Sequence, residues 1–323
     1  MQRDTRDSRR AAFSSGTNKN LGVQYRTYFC FCCYFEQQAV PVTSETLELY
    51  AQLLSRSFVS ITSVKNYING VKTLHLSLGE RFPDMDYSLR LVLRGLSRLN
   101  PHEEVQALPV TPVLLLRLFK VMDFNSSLHR ALWSVFLISF FIFARKSNMV
   151  PAGVSQYDLK KHLARGDVRT SDTGLVILVK WSKTIQFGQR HLLVPVLAIP
   201  GSPLCPRRAF VSMVEALPAS LASPAFLYLD SGGRVVTLTH FSLVSNFRAL
   251  LKRAGVDPVG FSGHSFRRGG ASCAFRAGVS GELIRLHGDW HSDAYLKYLT
   301  VPMQKKLQVT GHMREYILGP SCV

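Results

Sequence analysis

The chain has 323 residues, with 39 Lys+Arg against 21 Asp+Glu for a formal charge of +18, 46% hydrophobic residues and six cysteines. These values exclude a disordered tail and a small disulfide scaffold, and the length suggests two domains of ~100–200 residues, each apolar enough to bury its own core. The longest apolar run, Ala131 to Phe143, falls short of the ~20 residues of a membrane span and is broken by serines, so it reads as a buried core helix. The N-terminal MQRDTRDSRR is charged with no apolar stretch behind it, which points to an intracellular protein with reduced thiols.

The charge is unevenly placed. Residues 1–104 hold 13 basic and 10 acidic residues, whereas 105–323 hold 26 and 11. A field of that sign concentrates polyanions, of which nucleic acid is the commonest inside a cell.

In chain order, residues 1–17 are polar and Arg-rich without a hydrophobic period and are expected to form a mobile basic tail. From there to about Leu99 the pattern is helical: Asn18–Phe35, Ser44–Ser55, Ser60–Leu78 and Met85–Leu99, a bundle of four helices. Its punctuation is Thr43 and Ser44 before the second helix, Gly79 after the third and Pro83 before the fourth. His102 to Pro109 reads as a linker. Thr111-Pro112 then opens a helix to about Met122, and the buried helix after Ser126-Ser127 delivers Ala144-Arg145-Lys146-Ser147-Asn148 at its C-terminal end. Gly174–Trp181 and Arg190–Val196 form a hairpin around the Gly-containing turn Ser182–Gln189. Short helices follow at Pro206–Leu217, Thr239–Ala254, Ser265–Ala277, Ser280–His287 and Ser292–Leu299. The domain boundaries adopted are 1–17, 18–103 and 104–323.

Four features of the second domain carry chemistry. Arg145 and Lys146 stand at a helix end, where a cation also simply complements the helix dipole. Lys183 lies in the hairpin turn, where most lysines are solvated charges. In Gly263-His264-Ser265-Phe266-Arg267-Arg268-Gly269-Gly270, which opens a helix, His264 and Arg267 share one helical face near N–H groups that favour an anion. Near the C-terminus, Gly288-Asp289-Trp290 leads into a short helix with Tyr295 and Tyr298, whose aromatics could equally be core.

Taken in order, Arg145, Lys183, His264-x-x-Arg267, Trp290 and Tyr298 reproduce the motif series of the tyrosine recombinases, or phage-type integrases. The preceding bundle resembles that family's helical core-binding (SAM-like) domain, and the resemblance runs from about Asn18 to Tyr316. The wording of ARKSNMVP, SKTIQFG, GHSFRRGGAS and WHSDAYLKYL is similar to the eukaryotic mobile-element branch, of the DIRS or Crypton kind, which implies a nuclear protein.

The resemblance implies a mainly α fold with a small β-sheet. It implies a site-specific recombinase or integrase that cleaves and rejoins double-stranded DNA through a 3′-phosphotyrosyl intermediate, with the two domains clamping the duplex. Cutting a phosphodiester requires a nucleophile, neutralisation of the non-bridging oxygens and a proton for the departing 5′-oxygen. By resemblance Arg145 and Arg267 neutralise, His264 bonds the phosphate and helps with the nucleophile's proton, Lys183 is the general acid, Trp290 packs the site and donates to the phosphate, and Tyr298 attacks. No cofactor, metal, membrane or small-molecule substrate is implied. In the family, protomers form a tetramer on paired DNA sites, with the tail after the nucleophile, here Val301–Val323, packed on a neighbour. Affinity should fall steeply with salt.

Two positions depart from the family's pattern. Trp290 to Tyr298 is eight residues where nine is usual, which leaves Tyr295 as a competitor, although on an α-helix Tyr295 would be turned ~300° from Tyr298. The acidic residue often found three positions after the first Arg is here Asn148. Other readings keep the fold but lose strand transfer, as in a DNA-binding descendant, or treat the chain as an RNA-binding scaffold or a type IB topoisomerase. Cys30, Cys32 and Cys33 lack zinc spacing and read as buried core thiols, and His287 with His291 lacks a third ligand.

Overall fold

The computed structural model describes residues 1–83, 86–102, 106–182, 185, 190–299 and 303–318. The chain falls into two compact units, Met1–Glu104 and Val105–Val323.

The first unit contains α1 (Gln2–Ala11), α2 (Ser15–Tyr34), α3 (Ser44–Ser57), α4 (Ile61–Leu78) and α5 (Tyr87–Leu99). Side chains start three of them: Ser14, Thr43 and Asp86 accept the N–H groups of Thr17, Thr46 and Leu89. Gly79 ends α4 in the left-handed conformation. The apolar faces of α2 to α5 meet in one core that includes Tyr28, Leu47, Tyr50, Val64, Ile68 and Leu89. His75 is fully buried there, its Nε2 accepting the Val42 N–H at 3.0 Å while Nδ1 lies 2.9 Å from the Val71 carbonyl, so the ring is the neutral Nδ1–H tautomer.

Two expectations fail in this unit. The segment 1–17 is largely helical rather than a mobile tail. The described side chains of α1 are exposed and none enters the core, so α1 is a polar surface helix that hydrophobic periodicity could not reveal. Of the three clustered thiols only Cys32 is buried; Cys30 and Cys33 are exposed, because a helix passing over a core turns one position in three or four toward it.

The second unit is built round α7 (Ser127–Phe141), in which every residue from Ala131 to Phe140 is buried. The long apolar run is therefore core, and no described helix is long and apolar enough to cross a membrane. Against it pack α6 (Pro112–Val121), capped by Thr111, and α9 (Pro206–Ala216). After the one-turn α8 (Lys146–Met149), strands β1 (Val168–Thr170), β2 (Gly174–Val179) and β3 (Leu192–Leu197) form an antiparallel sheet in chain order. Ile177 faces Val194 and Leu175 faces Val196, all four buried. Two short strands absent from the sequence reading, β4 (Leu227–Leu229) and β5 (Val235–Thr237), pair with each other. Helices α10 (His240–Arg253), α11 (Ser265–Arg276) and α12 (Gly281–His287), a 3₁₀ turn over Asp293–Tyr298, and α13 (Met303–Leu318) complete the unit.

Two adjacent glycines seat α11. A Cβ on Gly269 would stand 1.9 Å from the Val110 carbonyl oxygen, and one on Gly270 1.9 Å from that of Phe140. Backbone that close tolerates no side chain, so this pair lets α11 touch both α7 and the segment ahead of α6. Gly270→Ala is expected to destabilise the second unit by about 1–3 kcal/mol through overpacking. Gly95→Ala, in a helix interior with open space around it, should stabilise the first by roughly 0.5–1 kcal/mol. The two substitutions lie in different units, so calorimetry of each variant should move a different transition.

Candidate active site

The site is organised by Arg267 in the first turn of α11. Its side chain is 3% exposed; its two terminal nitrogens donate to the carbonyls of Phe143 and, at 2.8 Å, of Gly288. The indole of Trp290, 7% exposed, covers the guanidinium face at 3.7 Å. Gly288 makes that stacking feasible, since a Cβ there would stand 1.7 Å from the Trp290 ring. Both carbonyls belong to unusual backbone. Phe143 is left-handed with φ 50°, and Gly288 precedes left-handed Asp289 with φ 53°.

Phe143 also corrects the expected place of Arg145. Helix α7 stops at Phe141, the chain reverses through Phe143, and Arg145 is the N-cap residue of α8. It therefore does not complement a helix C-terminus. Half-buried, it stands close enough to Arg267 to act on its charge. Burial pushes the Arg267 pKa down to about 9, and Arg145 pushes it the same way, against the opposing pull of Tyr298 and Asp289. At neutral pH the group stays charged and lacks a full counter-charge, a state that an anion relieves.

His264 is the N-cap residue of α11 and sits at the exposed rim, whereas Arg267 points inward. Its imidazole is held below the ordinary histidine value, first by the protein packed about part of the ring and then by Lys146, Arg145 and Arg267. Lys146 lies against Gly263, where a Cβ would come within 2.6 Å of its side chain. The sequence reading did not give Lys146 a place in the site.

Tyr298 lies over the same guanidinium, its ring centroid 5.4 Å from the Arg267 carbon and 5.4 Å from the Trp290 ring. Tyr295 does not face away from Tyr298: residues three apart stand only about 60° apart on an α-helix and eclipse in the 3₁₀ turn found here, so both rings contact Trp290. They differ in their advance along the axis: the Tyr295 hydroxyl reaches Gly281 at the start of α12, where a Cβ would stand 2.5 Å from it.

Lys183 lies outside the described residues; Trp181, Ser182 and Arg190, on either side of it, make defined contacts. Asn148 donates its side-chain amide to the Trp181 carbonyl, which a carboxylate could not do, so the departure from the acidic pattern suits the contact made here. Lys180, on the same limb, is committed to Asp167 at 2.5 Å. Asp289, named in the turn before Trp290 by the sequence but given no role there, accepts from Ser182 at 2.9 Å and pairs with Arg190. The sole signal for it was a carboxylate between a glycine and a tryptophan in a basic stretch. His287 bonds the Phe141 carbonyl through Nε2, and the described residues contain no cluster of three or more metal-ligating side chains.

The fold is that of the tyrosine recombinases, mainly helical with small antiparallel sheets. The chain is similar to the Tn1549 transposon integrase in complex with transposon right end DNA, over 96% of this chain and 98% of that one, at TM-score 0.62 and 12% identity. It is also similar to XerH recombinase bound to palindromic difH substrate in a post-cleavage complex (90% and 77%, TM-score 0.57, 14% identity) and to a lambda integrase dimer bound to a COC′ core site (93% and 75%, 0.56, 12%). At the level of sequence, no protein-family model and no curated protein matches the chain.

The electrostatics set a measurable expectation. With three cations round it, His264 should titrate below an ordinary histidine in the free protein. Saturating sulfate, or Arg145→Ala, should raise its pKa, because either relieves the imidazolium of repulsion. Histidine ring resonances followed by NMR, assigned with His264→Gln, check this; an unmoved pKa in sulfate would mean that the pocket takes no oxyanion.

Proposed function

We propose that the protein is a site-specific DNA recombinase or integrase that cuts and rejoins strands through a phosphotyrosyl bond. The observation that carries this reading is the Tyr298 ring set over a buried arginine, 5.4 Å from its guanidinium carbon, within a site that also holds Arg145 and His264. Arg145 and Arg267 neutralise the non-bridging oxygens, a task suited to a forked donor that stays charged. The Tyr298 oxygen attacks phosphorus, His264 accepts a hydrogen bond or proton at the rim, and the bond to the 5′-oxygen breaks as Lys183 protonates it. A 5′-hydroxyl then attacks the phosphotyrosine and returns the proton, so the cycle balances without cofactor or hydrolysis. The neutral form of His264, favoured first by partial burial of the ring and then by its cationic neighbours, is the one able to accept a proton.

The neighbours reported above lend no support to the eukaryotic-element branch, and the reading is confined to the family. Movement of a genetic element is the use it best fits, by analogy with the transposon and phage integrases.

Assembly on DNA is part of the proposal. The second unit carries an apolar groove of about 570 Å³ lined by Phe140, Phe141, Cys273, Leu283 and Leu286 among others. Its last helix, α13, exposes Leu307, Met313, Ile317 and Leu318. Insertion of that helix into the groove of a second copy would cover both surfaces and build the tetramer that the family resemblance implies.

The test uses duplexes enriched from a random pool by binding to the protein, each nicked near the bound site so that cleavage releases a short strand. A denaturant-resistant adduct should form on Tyr298, survive chelator, vanish in Tyr298→Phe and persist in Tyr295→Phe. Attachment at Tyr295 would relocate the nucleophile; tight, salt-sensitive binding without any adduct would mark a DNA-binding descendant instead. Removing residues 303–318 should leave single-site binding intact and abolish the multi-protomer complex in native gels.

A further inference from the structure

The reaction just proposed needs Lys183 to be delivered on time, and the described residues on either side of it meet at one carboxylate. Asp289 is 9% exposed and sits between Gly288, whose carbonyl holds Arg267, and Trp290, whose ring covers it. Its Oδ2 accepts the Ser182 hydroxyl at 2.9 Å and its Oδ1 pairs with the Arg190 guanidinium. Ser182 immediately precedes Lys183, and Arg190 closes the same excursion between β2 and β3. The limb is fixed further by Asn148 on the Trp181 carbonyl and by the Ile185 N–H on the Ser182 carbonyl at 3.0 Å.

Two features separate this from an ordinary surface ion pair. Asp289 holds a left-handed backbone, a conformation that costs a non-glycine residue free energy and persists where surrounding contacts over-determine it. Glycine would be the unstrained choice, yet only a carboxylate presents two acceptors to donors on the two separate limbs of a hairpin. The same three residues, 288–290, therefore hold the charge clamp on one side and the Lys183-bearing segment on the other.

We infer that Asp289 is a positioning residue for the general acid: its carboxylate ties Ser182 and Arg190, the described residues on either side of Lys183, to the segment 288–290 whose Gly288 carbonyl holds Arg267. The inference rests on the phosphotyrosyl reading for its consequence in catalysis, but the clasp itself is a property of the free protein. Asp289 acts through Lys183 and does not touch the reacting atoms.

The experiment compares wild type, Asp289→Gly, Asp289→Asn and the double variant Ser182→Ala with Arg190→Ala. Glycine is at ease at positive φ, so Asp289→Gly removes the clasp without backbone cost; the double variant removes the donors should either Asp289 variant fold poorly. Each protein is given the enriched duplex with an ordinary scissile phosphodiester and the same duplex with sulfur replacing the bridging 5′-oxygen, a leaving group that needs no proton. On the ordinary duplex the variants should form adduct roughly 10- to 100-fold more slowly, as misplacement of a catalytic group predicts, with DNA affinity held. On the sulfur duplex, as with Lys183→Ala, most of that loss should be recovered.

Equal loss on both duplexes would overturn the proposal, since a merely structural defect is blind to the leaving group. Amide hydrogen exchange on the free proteins supplies the independent arm: peptides covering 181–193 should exchange faster in Asp289→Gly while those from α7 are unchanged. Unchanged exchange across 181–193 also overturns the clasp. If wild type forms no adduct on either duplex, the phosphotyrosyl reading fails and the catalytic consequence with it, and exchange alone then decides the clasp.

Discussion

A guanidinium taken out of water must be repaid on the spot, and the second unit is arranged round that requirement at Arg267. Desolvation costs several kcal/mol even after relaxation. Two hydrogen bonds from a charged donor return ~1.5–3 kcal/mol each, and a desolvated cation–π contact about 2. These roughly close the balance without a carboxylate bonded to the group among the described residues, which leaves its field directed at whatever anion enters. A direct carboxylate partner would have made Arg267 stable and inert.

The surrounding architecture follows from supplying those partners. Phe143 adopts a strained backbone that brings its carbonyl to the guanidinium, and the same reversal turns Arg145 back into the site. Gly288 is bare so that Trp290 can lie flat over the charge, and Gly269 with Gly270 lets α11 approach α7 closely enough for Arg267 to reach across. Cation, covering ring and close backbone contacts therefore depend on one another, and the core of α7 fixes their frame.

The long helices were legible because caps and apolar periods are local, as at Thr43, Thr111 and Gly79. Strands of three residues such as β4 and β5 carry too few alternations to register, and the polar α1 carries no apolar stripe. The residues gathered at the site, Arg145, His264, Arg267, Trp290 and Tyr298, were legible as an ordered set, whereas their supports were not. Asp289 and Ser182 lie 107 positions apart, and nothing in either's neighbours announces the other. Angular position could not choose between Tyr295 and Tyr298: residues three apart lie about 60° apart on an α-helix and eclipse in the 3₁₀ turn, so only their height along the axis tells them apart.

The segment entering the second unit is stitched to α11 and the loop ahead of it before it reaches α6. Gln106 accepts from Arg268, the Leu108 N–H donates to the Gly260 carbonyl at 2.8 Å, and the Val110 N–H donates to that of Ser265 at 3.0 Å. Residues 106–110 are thus structurally part of α11's foundation, although 106–109 read as linker in the sequence. A chimaera that exchanges the first unit for another domain should therefore be joined ahead of Gln106, since a splice any later would graft the foreign chain into the footing of Arg267.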